Sequence, residues 1–275
     1  MGNEVITRAM TIAGSDSGGG AGIQADLKTF AALGVYGTSA LTSITAQNTV
    51  GVQGVHDLPP EFVALQIDSI ASDIGADAVK TGMLSNAGII EAVADRLSAH
   101  GMTKVVVDPV MVAKSGDPLL AEDAREALIR LLLPMAMVVT PNLHEAAALS
   151  GGQVDDPLGM REAARAIFDM GPGHVVIKGG HLDASPMDLL YDGVDFVELT
   201  GPRHDTPHTH GTGCTFASAV AALLARGRDV PAAVAGAKEF VSGAIQAGFP
   251  LGRGYGPTHH MAGLYEAAGI SLLKQ

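Results

Sequence analysis

Short runs rich in Val, Ile and Thr alternate with longer stretches of helical periodicity along almost the whole chain, and this alternation leaves few folds open. It is the pattern of a parallel sheet covered by helices, because strands that recur after each helix must be joined by crossovers. The expected strands are Ala9 to Ala13, Tyr36 to Thr45, Ala78 to Thr81, Lys104 to Asp108, Ala136 to Thr140 and His174 to Lys178. Helical periodicity occupies 21–34, 60–73, 86–99, 120–132, 142–150 and 158–170. The last third opens with a hairpin, Asp188 to Tyr191 and Val194 to Leu199, around the two-residue turn signal Asp192-Gly193. Three further helices are expected near 213–226, 231–247 and 259–268. No repeat, charge block or Pro/Ser-rich linker interrupts the pattern, so residues 1–275 read as a single domain.

Composition narrows function by exclusion. With 47% hydrophobic residues in 275, the chain can bury a core without staples. Its 29 acidic against 17 basic side chains give a net charge of −12, which argues against nucleic acid as a partner. A single cysteine, Cys214, precludes an intramolecular disulfide and a four-cysteine zinc site, and suits a reducing cytoplasm. The start Met1-Gly2-Asn3-Glu4-Val5-Ile6 lacks the features of a signal peptide or a myristoylation motif. No apolar stretch reaches the length of a membrane span.

Sheets of this kind bind ligands beyond the carboxyl ends of their strands. There the sequence places Ser15 and Asp16, Gln47 and Asn48, Thr81 to Met83, Asp108, Asn142 and Glu145, and Lys178 with Gly179 and Gly180. That edge is therefore expected to form a polar, glycine-rich pocket.

Four motifs carry the chemistry, each beside a plainer reading. The loop Gly14 to Gly22 between strand and helix can present backbone N–H groups to a ligand. Gly20-x-Gly22-x-x-Ala25 matches a dinucleotide fingerprint, yet the acidic residue expected about 20 positions on is missing. A flexible turn would explain the glycines but not Asp26, which shares a helical face with Ile23, Leu27 and Phe30. A carboxylate on an apolar stripe needs a partner, and a ligand amine or ring nitrogen is one source. Asn142 with Glu145 reads first as a helix-capping box, and second as a carboxylate for hydrated Mg²⁺, shared with Asp108.

His210-Gly211-Thr212-Gly213-Cys214-Thr215 leads into the apolar stripe Phe216, Val220, Leu223 and Leu224. Two glycines and small hydroxyl residues at a helix start make a nest of N–H donors suited to a phosphoryl group. A cysteine at that position is expected to have a lowered pKa and to accept a proton, against the alternative of an inert small hydrophobe. His208 and His210 are expected to line the loop rather than bind metal. Lys178 either counters phosphate charge or snorkels to solvent. Gly256-Pro257-Thr258-His259-His260 is expected to start the last helix.

Ala13 to Asp16, Gly18 to Thr29, Ala46 to Thr49, Lys80 to Leu84, Asp108 to Met111, Lys114-Ser115-Gly116, Thr140 to Leu143, Lys178 to His181, His210 to Thr215 and Gly256 to His260 stand in one order between about residues 9 and 260. Together they resemble the hydroxymethylpyrimidine/phosphomethylpyrimidine kinases of thiamine biosynthesis. The resemblance implies a ribokinase-like fold, a three-layer α/β/α domain with a mainly parallel sheet and a small flap, usually a homodimer. It implies ATP and Mg²⁺ as cofactors. Asp26 and Gln47 would hydrogen-bond an aminopyrimidine, and Gly14, Met83 and Val110 would shape its pocket. Gly211, Thr212 and Gly213 would form the anion hole and Cys214 the base. Asp108 and Glu145 would assist Mg²⁺, Lys178 would approach the phosphates, and the hairpin at 188–199 would belong to the flap or its support. A fused thiamine-phosphate synthase domain, found in some relatives, would be absent. The rival activity is a pyridoxal kinase; a non-catalytic pyrimidine or nucleotide sensor and a dehydrogenase are the alternatives from other classes.

Overall fold

The computed structural model describes residues 6–111, 119, 121–180 and 186–272. The motif Lys114-Ser115-Gly116 and His181 lie outside the described residues. Eight strands form the central sheet: β1 (Arg8–Ala13), β2 (Tyr36–Leu41), β5 (Ala78–Thr81), β6 (Val105–Val107), β7 (Val138–Val139), β8 (Val175–Ile177), β9 (Met187–Tyr191) and β10 (Phe196–Thr200). Their order is β10-β9-β8-β7-β6-β5-β1-β2, parallel from β2 to β8 and antiparallel for the last two. Two more strands, β3 (Ser43–Gln47) and β4 (Val52–Asp57), pair only with each other.

The inner strands β6, β7 and β8 read as unbroken apolar runs because both faces are covered, and the pleat sorts the sheet's apolar side chains between two cores. Met10, Ile12, Val105, Val107, Val139, Val175 and Ile177 face α2 (Pro60–Ala71), α3 (Ala87–Ala99), α4 (Glu122–Ala127), α5 (Leu143–Ser150) and α6 (Pro157–Phe168). Ala9, Val106, Val138 and Val176 face α1 (Gly22–Ala32), α7 (Thr212–Ala225) and α8 (Val230–Gln246). A short α9 (Ala262–Ala268) ends the described chain. Helix α7 is buried on nearly every side, which its alanines at 217, 219, 221 and 222 permit by keeping the backbone close to its neighbours. The result is the expected three-layer α/β/α, ribokinase-like arrangement.

Three expectations change. The run Tyr36 to Thr45 is two strands: Thr42 breaks it, its N–H donating to Ala13 O and its hydroxyl to Met83 O, so that β3 leaves the sheet. With β4, which the sequence pattern does not announce, it forms the two-stranded flap. The hairpin at 188–199 is no part of that flap; β9 and β10 extend the central sheet beyond β8. Its turn spans four residues, because Asp192 Oδ1 accepts from Val194 N and Asp195 N at 2.9 and 2.7 Å while Gly193 takes φ +97°.

Candidate active site

The carboxyl ends of β1, β5, β6, β7 and β8 open into a cavity of about 950 Å³. Gly14, Gln47, Met83, Asp108, Val110, Glu145, Lys178 and the stretch Gly211 to Cys214 all line it; Asp26 does not. Elements distant in sequence are held together at this edge by a few specific bonds. Ser15 N donates to Ser43 O at 2.9 Å and Ser17 Oγ to Gln47 O at 2.7 Å, which hangs the flap from the loop after β1 and carries Gln47 to the cavity. Met83 lies across bare Gly14: a Cβ there would stand 3.0 Å from the Met83 sulfur.

Helix α7 begins at the cavity with Gly211 as N-cap, φ +83° and ψ 3°. That left-handed conformation favours glycine, and a side chain would also drive into the Gly20 carbonyl, so two glycine loops meet at this point. Thr215 Oγ1 donates to Gly211 O at 2.8 Å and Thr212 Oγ1 to Thr209 O at 2.7 Å, which fixes the turn. The first-turn N–H groups have no intrahelical acceptor, and no acidic side chain occupies the turn. A Cβ on Gly213 would stand 3.4 Å from Lys178 Nζ and 3.9 Å from Asp108 Oδ2, so the nest of donors faces a lysine–aspartate pair.

Asp16 builds the wall of that nest, a role that reading the glycine loop as a ligand loop does not reveal. Its buried carboxylate accepts from Gly18, Gly20 and Ala21 N–H groups at 2.8, 3.0 and 2.8 Å and pairs with His210 Nε2 at 2.9 Å. Burial alone would raise its pKa, but the His210 bond and the N–H donors outweigh it and lower the value. The signal in the sequence is an Asp two residues before Gly18, the spacing of an Asx turn. On its other side His210 pairs through its backbone with Gly256 and Thr258. The stretch Gly256 to His260 is thus a strap across the anion loop, and α9 starts only at Ala262, which corrects the expectation that Pro257 opens the last helix.

Both readings of Glu145 meet in one geometry. The capping box is formed, with Glu145 N donating to Asn142 Oδ1 at 2.9 Å and Asn142 N to Glu145 Oε2 at 2.8 Å. The carboxyl also faces the cavity. Burial pushes it up to about 7, with Lys178 pulling down and Asp108 pushing further up. Asp108 is buried and accepts from Lys178 Nζ at 2.9 Å and from Thr140 Oγ1 at 3.3 Å. Lys178 does not snorkel: its side chain is 14% exposed, and the carboxylates of Asp108 and Glu145 raise its pKa against the opposing effect of burial. Among the described residues no three His, Cys, Asp or Glu are grouped to cage a metal. Two buried carboxylates at an open cavity suit a hydrated Mg²⁺ that takes few protein ligands.

Asp26 and Cys214 differ from the sequence-based expectation. Asp26 is fully buried, and its carboxylate is taken by Lys80 Nζ at 2.9 Å to each oxygen, Thr11 Oγ1 at 2.6 Å and Ser218 Oγ at 2.6 Å. The partner that the apolar stripe demanded is Lys80, 54 residues away, rather than a ligand. Cys214 is half-buried, and its thiol is pushed up to about 11, not lowered. Burial is the largest cause; Asp26 and Asp108 add to it, while Lys80 and the Gly22 N–H oppose it. Before substrates bind, Cys214 is a neutral thiol.

Residues 16–259 match the family described as phosphomethylpyrimidine kinase. A hydroxymethylpyrimidine/phosphomethylpyrimidine kinase of Streptomyces coelicolor is 57% identical over 251 residues, covering 91% of this chain and 93% of that one. The structure of a pyridoxal kinase from Staphylococcus aureus in complex with AMP-PCP and pyridoxal superposes with a TM-score of 0.87 at 44% identity, covering 94% of both chains. A phosphomethylpyrimidine kinase structure from Clostridium difficile gives a TM-score of 0.78 at 42% identity over 88% of this chain and all of that one. With its family match spanning every sheet strand after β1, the flap and the anion loop, the chain belongs to the phosphomethylpyrimidine kinase family.

Proposed function

We propose that the protein transfers the γ-phosphoryl group of ATP to the hydroxymethyl oxygen of 4-amino-5-hydroxymethyl-2-methylpyrimidine, and then transfers a second to the resulting monophosphate. The observation that carries this reading is the start of α7 facing the Lys178–Asp108 pair across the cavity, with the Gly14, Gln47, Met83 and Val110 pocket at the same edge. Phosphoryl transfer is mostly positioning and neutralisation of charge, so fixed N–H donors and cations do most of what is needed. In this reading Gly211, Thr212 and Gly213 hold the transferring group and Lys178 approaches the phosphates. The aminopyrimidine is recognised by Gln47, since the hydrogen-bonding capacity of Asp26 is already used within the protein.

Asp108 and Glu145 hold the Mg²⁺, which supplies positive charge to the phosphate oxygens when bound. Cys214 accepts the hydroxyl proton in the first step. A thiol near 11 gives up its own proton reluctantly, so that proton must first leave to solvent before the Cys214 thiolate can accept the hydroxyl proton, and Lys80 and the Gly22 N–H are the groups here that favour the thiolate. The monophosphate of the second step is already an anion and needs no such acceptor.

The working unit is a single-domain homodimer of the cytoplasm. Exposed Ile44 and Val55 on the flap and the lone thiol support that reading, while among the described residues no helix is long and apolar enough to cross a membrane. A pyridoxal kinase activity is the second reading, favoured by the structural likeness to the pyridoxal kinase above. An ATP-consumption assay with the hydroxymethylpyrimidine, its monophosphate and pyridoxal in parallel decides. Turnover with both pyrimidines is expected; turnover with pyridoxal alone would replace the first reading by the second, and none at all would leave a binding protein.

A further inference from the structure

We propose that Lys80 is a positioning residue for phosphoryl transfer: an ammonium clamped by Asp26 behind Cys214, whose charge, and not only its packing, serves the reacting end of the cavity. The proposal rests on the reading of this cavity as the site of transfer. Lys80 on β5 and Asp26 on α1 are both fully buried. For stability alone such a pair is a poor device, because well-packed apolar residues of the same volume usually serve as well or better.

Its place is what assigns it a task. Lys80 forms part of the cavity wall although Asp26 does not. The bonds to the two Asp26 oxygens occupy two of the three ammonium donors. Thr11 on β1 and Ser218 on α7 bond the same carboxylate from either side, so Asp26 cannot turn away. Ser218 lies four residues after Cys214, hence on the same face of α7 and one turn deeper. The clamp therefore ties α7, one turn below its anion nest, to three other elements. Gly82, directly after β5, leaves room for the ammonium: a Cβ there would stand 2.8 Å from Lys80 Nζ. Among the described residues, the charged groups that act on Cys214 include Lys80 from β5, Asp26 from α1, Asp108 beyond β6 and Lys178 beyond β8. Lys178 is bonded to Asp108 at the open side, which leaves Lys80, among the described residues, as the cation behind the thiol.

The test removes both charges at once, so that no ion is left unpaired. In Lys80→Met/Asp26→Asn the melting temperature is expected to stay near that of the parent protein, with KM for ATP and pyrimidine within about threefold, while kcat falls about thirtyfold or more. Ser218→Ala keeps both charges and is expected to lose about threefold or less. Recovery of kcat in the double variant to within about threefold of the parent would overturn the proposal. So would a Ser218→Ala loss as large as that of the double variant, or a double variant that does not fold, since each makes the clamp a matter of packing. Failure of the transfer reading is a separate result: neither the parent nor any variant would then consume ATP with either pyrimidine.

Discussion

Gly211→Ala perturbs the one backbone position on which the anion loop turns. Its φ of +83° is open to glycine at no cost, whereas an alanine there gives up about 1–2 kcal/mol. The new methyl would also collide with the Gly20 carbonyl, standing 2.8 Å from Gly20 C and 3.4 Å from Ala21 Cα. Gly20 is itself held by Asp16, so the neighbouring loop cannot simply step aside. Forcing a methyl into a packed contact typically adds about 1–3 kcal/mol. The combined destabilisation is about 2–5 kcal/mol, which for a chain of this size lowers Tm by roughly 5–15 °C. Whatever strain the loop escapes by shifting moves the N–H donors off the transferring group, and a shift of about 1 Å costs on the order of a hundredfold in kcat.

Gly213→Ala is the control two residues on. Gly213 has no left-handed φ, and its Cβ would meet the flexible end of Lys178 at 3.4 Å and Asp108 Oδ2 at 3.9 Å, an ordinary contact. Alanine within a helix is favoured over glycine by about 1 kcal/mol, so Tm should hold or rise by a few degrees. The methyl nevertheless stands between the nest and the lysine, and kcat should fall. Thermal melts of both variants, followed by initial rates at saturating ATP, give the comparison. A Gly211→Ala protein melting within about 2 °C of its parent with kcat within about threefold would refute the reasoning, as would equal losses of Tm at the two positions.

Three further outcomes are expected. Cys214→Ala should slow the first phosphorylation at least about tenfold more than the second, measured with the two acceptors separately; equal losses would remove the proton-acceptor role. Asp16→Ala leaves the N–H groups of Gly18, Gly20 and Ala21 without an acceptor and should cost about 3 kcal/mol in a denaturant melt, whereas a loss below about 1 kcal/mol would mean that water replaces the carboxylate. His260 is buried and its pKa is lowered by burial to about 4, so it is neutral when folded and charged when unfolded at mildly acid pH. The stability this gives is complete above the usual histidine value and is lost as pH falls toward 4, amounting to about 2 kcal/mol between pH 6.5 and 5. His260→Asn should flatten that limb of the stability profile, and an unchanged slope would exclude His260 as its source.

The parts of the fold that were legible in the sequence are those whose signal is local. The inner strands β6, β7 and β8 are apolar runs between helical periods, and a strand buried on both faces of a parallel sheet typically looks so. The flap strand β4 escaped because almost none of it is buried: Val52 to Asp57 has no face turned to the core, and so no period. The hairpin at 188–199 was legible as a hairpin, but nothing within its own residues says which sheet it joins; that is settled by the pairing of Val175 to Ile177 with Leu189 to Tyr191.

The site divides along the same line. Backbone features such as the Gly211 turn and the Asn142–Glu145 cap depend on three or four consecutive residues and could be read directly. Charge states depend on groups brought in from several strand ends. A helix start alone would have lowered the Cys214 pKa; burial, Asp26 from α1 and Asp108 beyond β6 reverse the sign. The same summation explains how a protein of net charge −12 can serve polyphosphate chemistry. At the transfer end Asp26 is offset by Lys80 and Asp108 by Lys178, and burial pushes the Glu145 carboxyl well above the usual carboxylate range. Among the described residues, what remains unopposed there is the positive end of α7, so the local field favours an anion even though the surface as a whole does not.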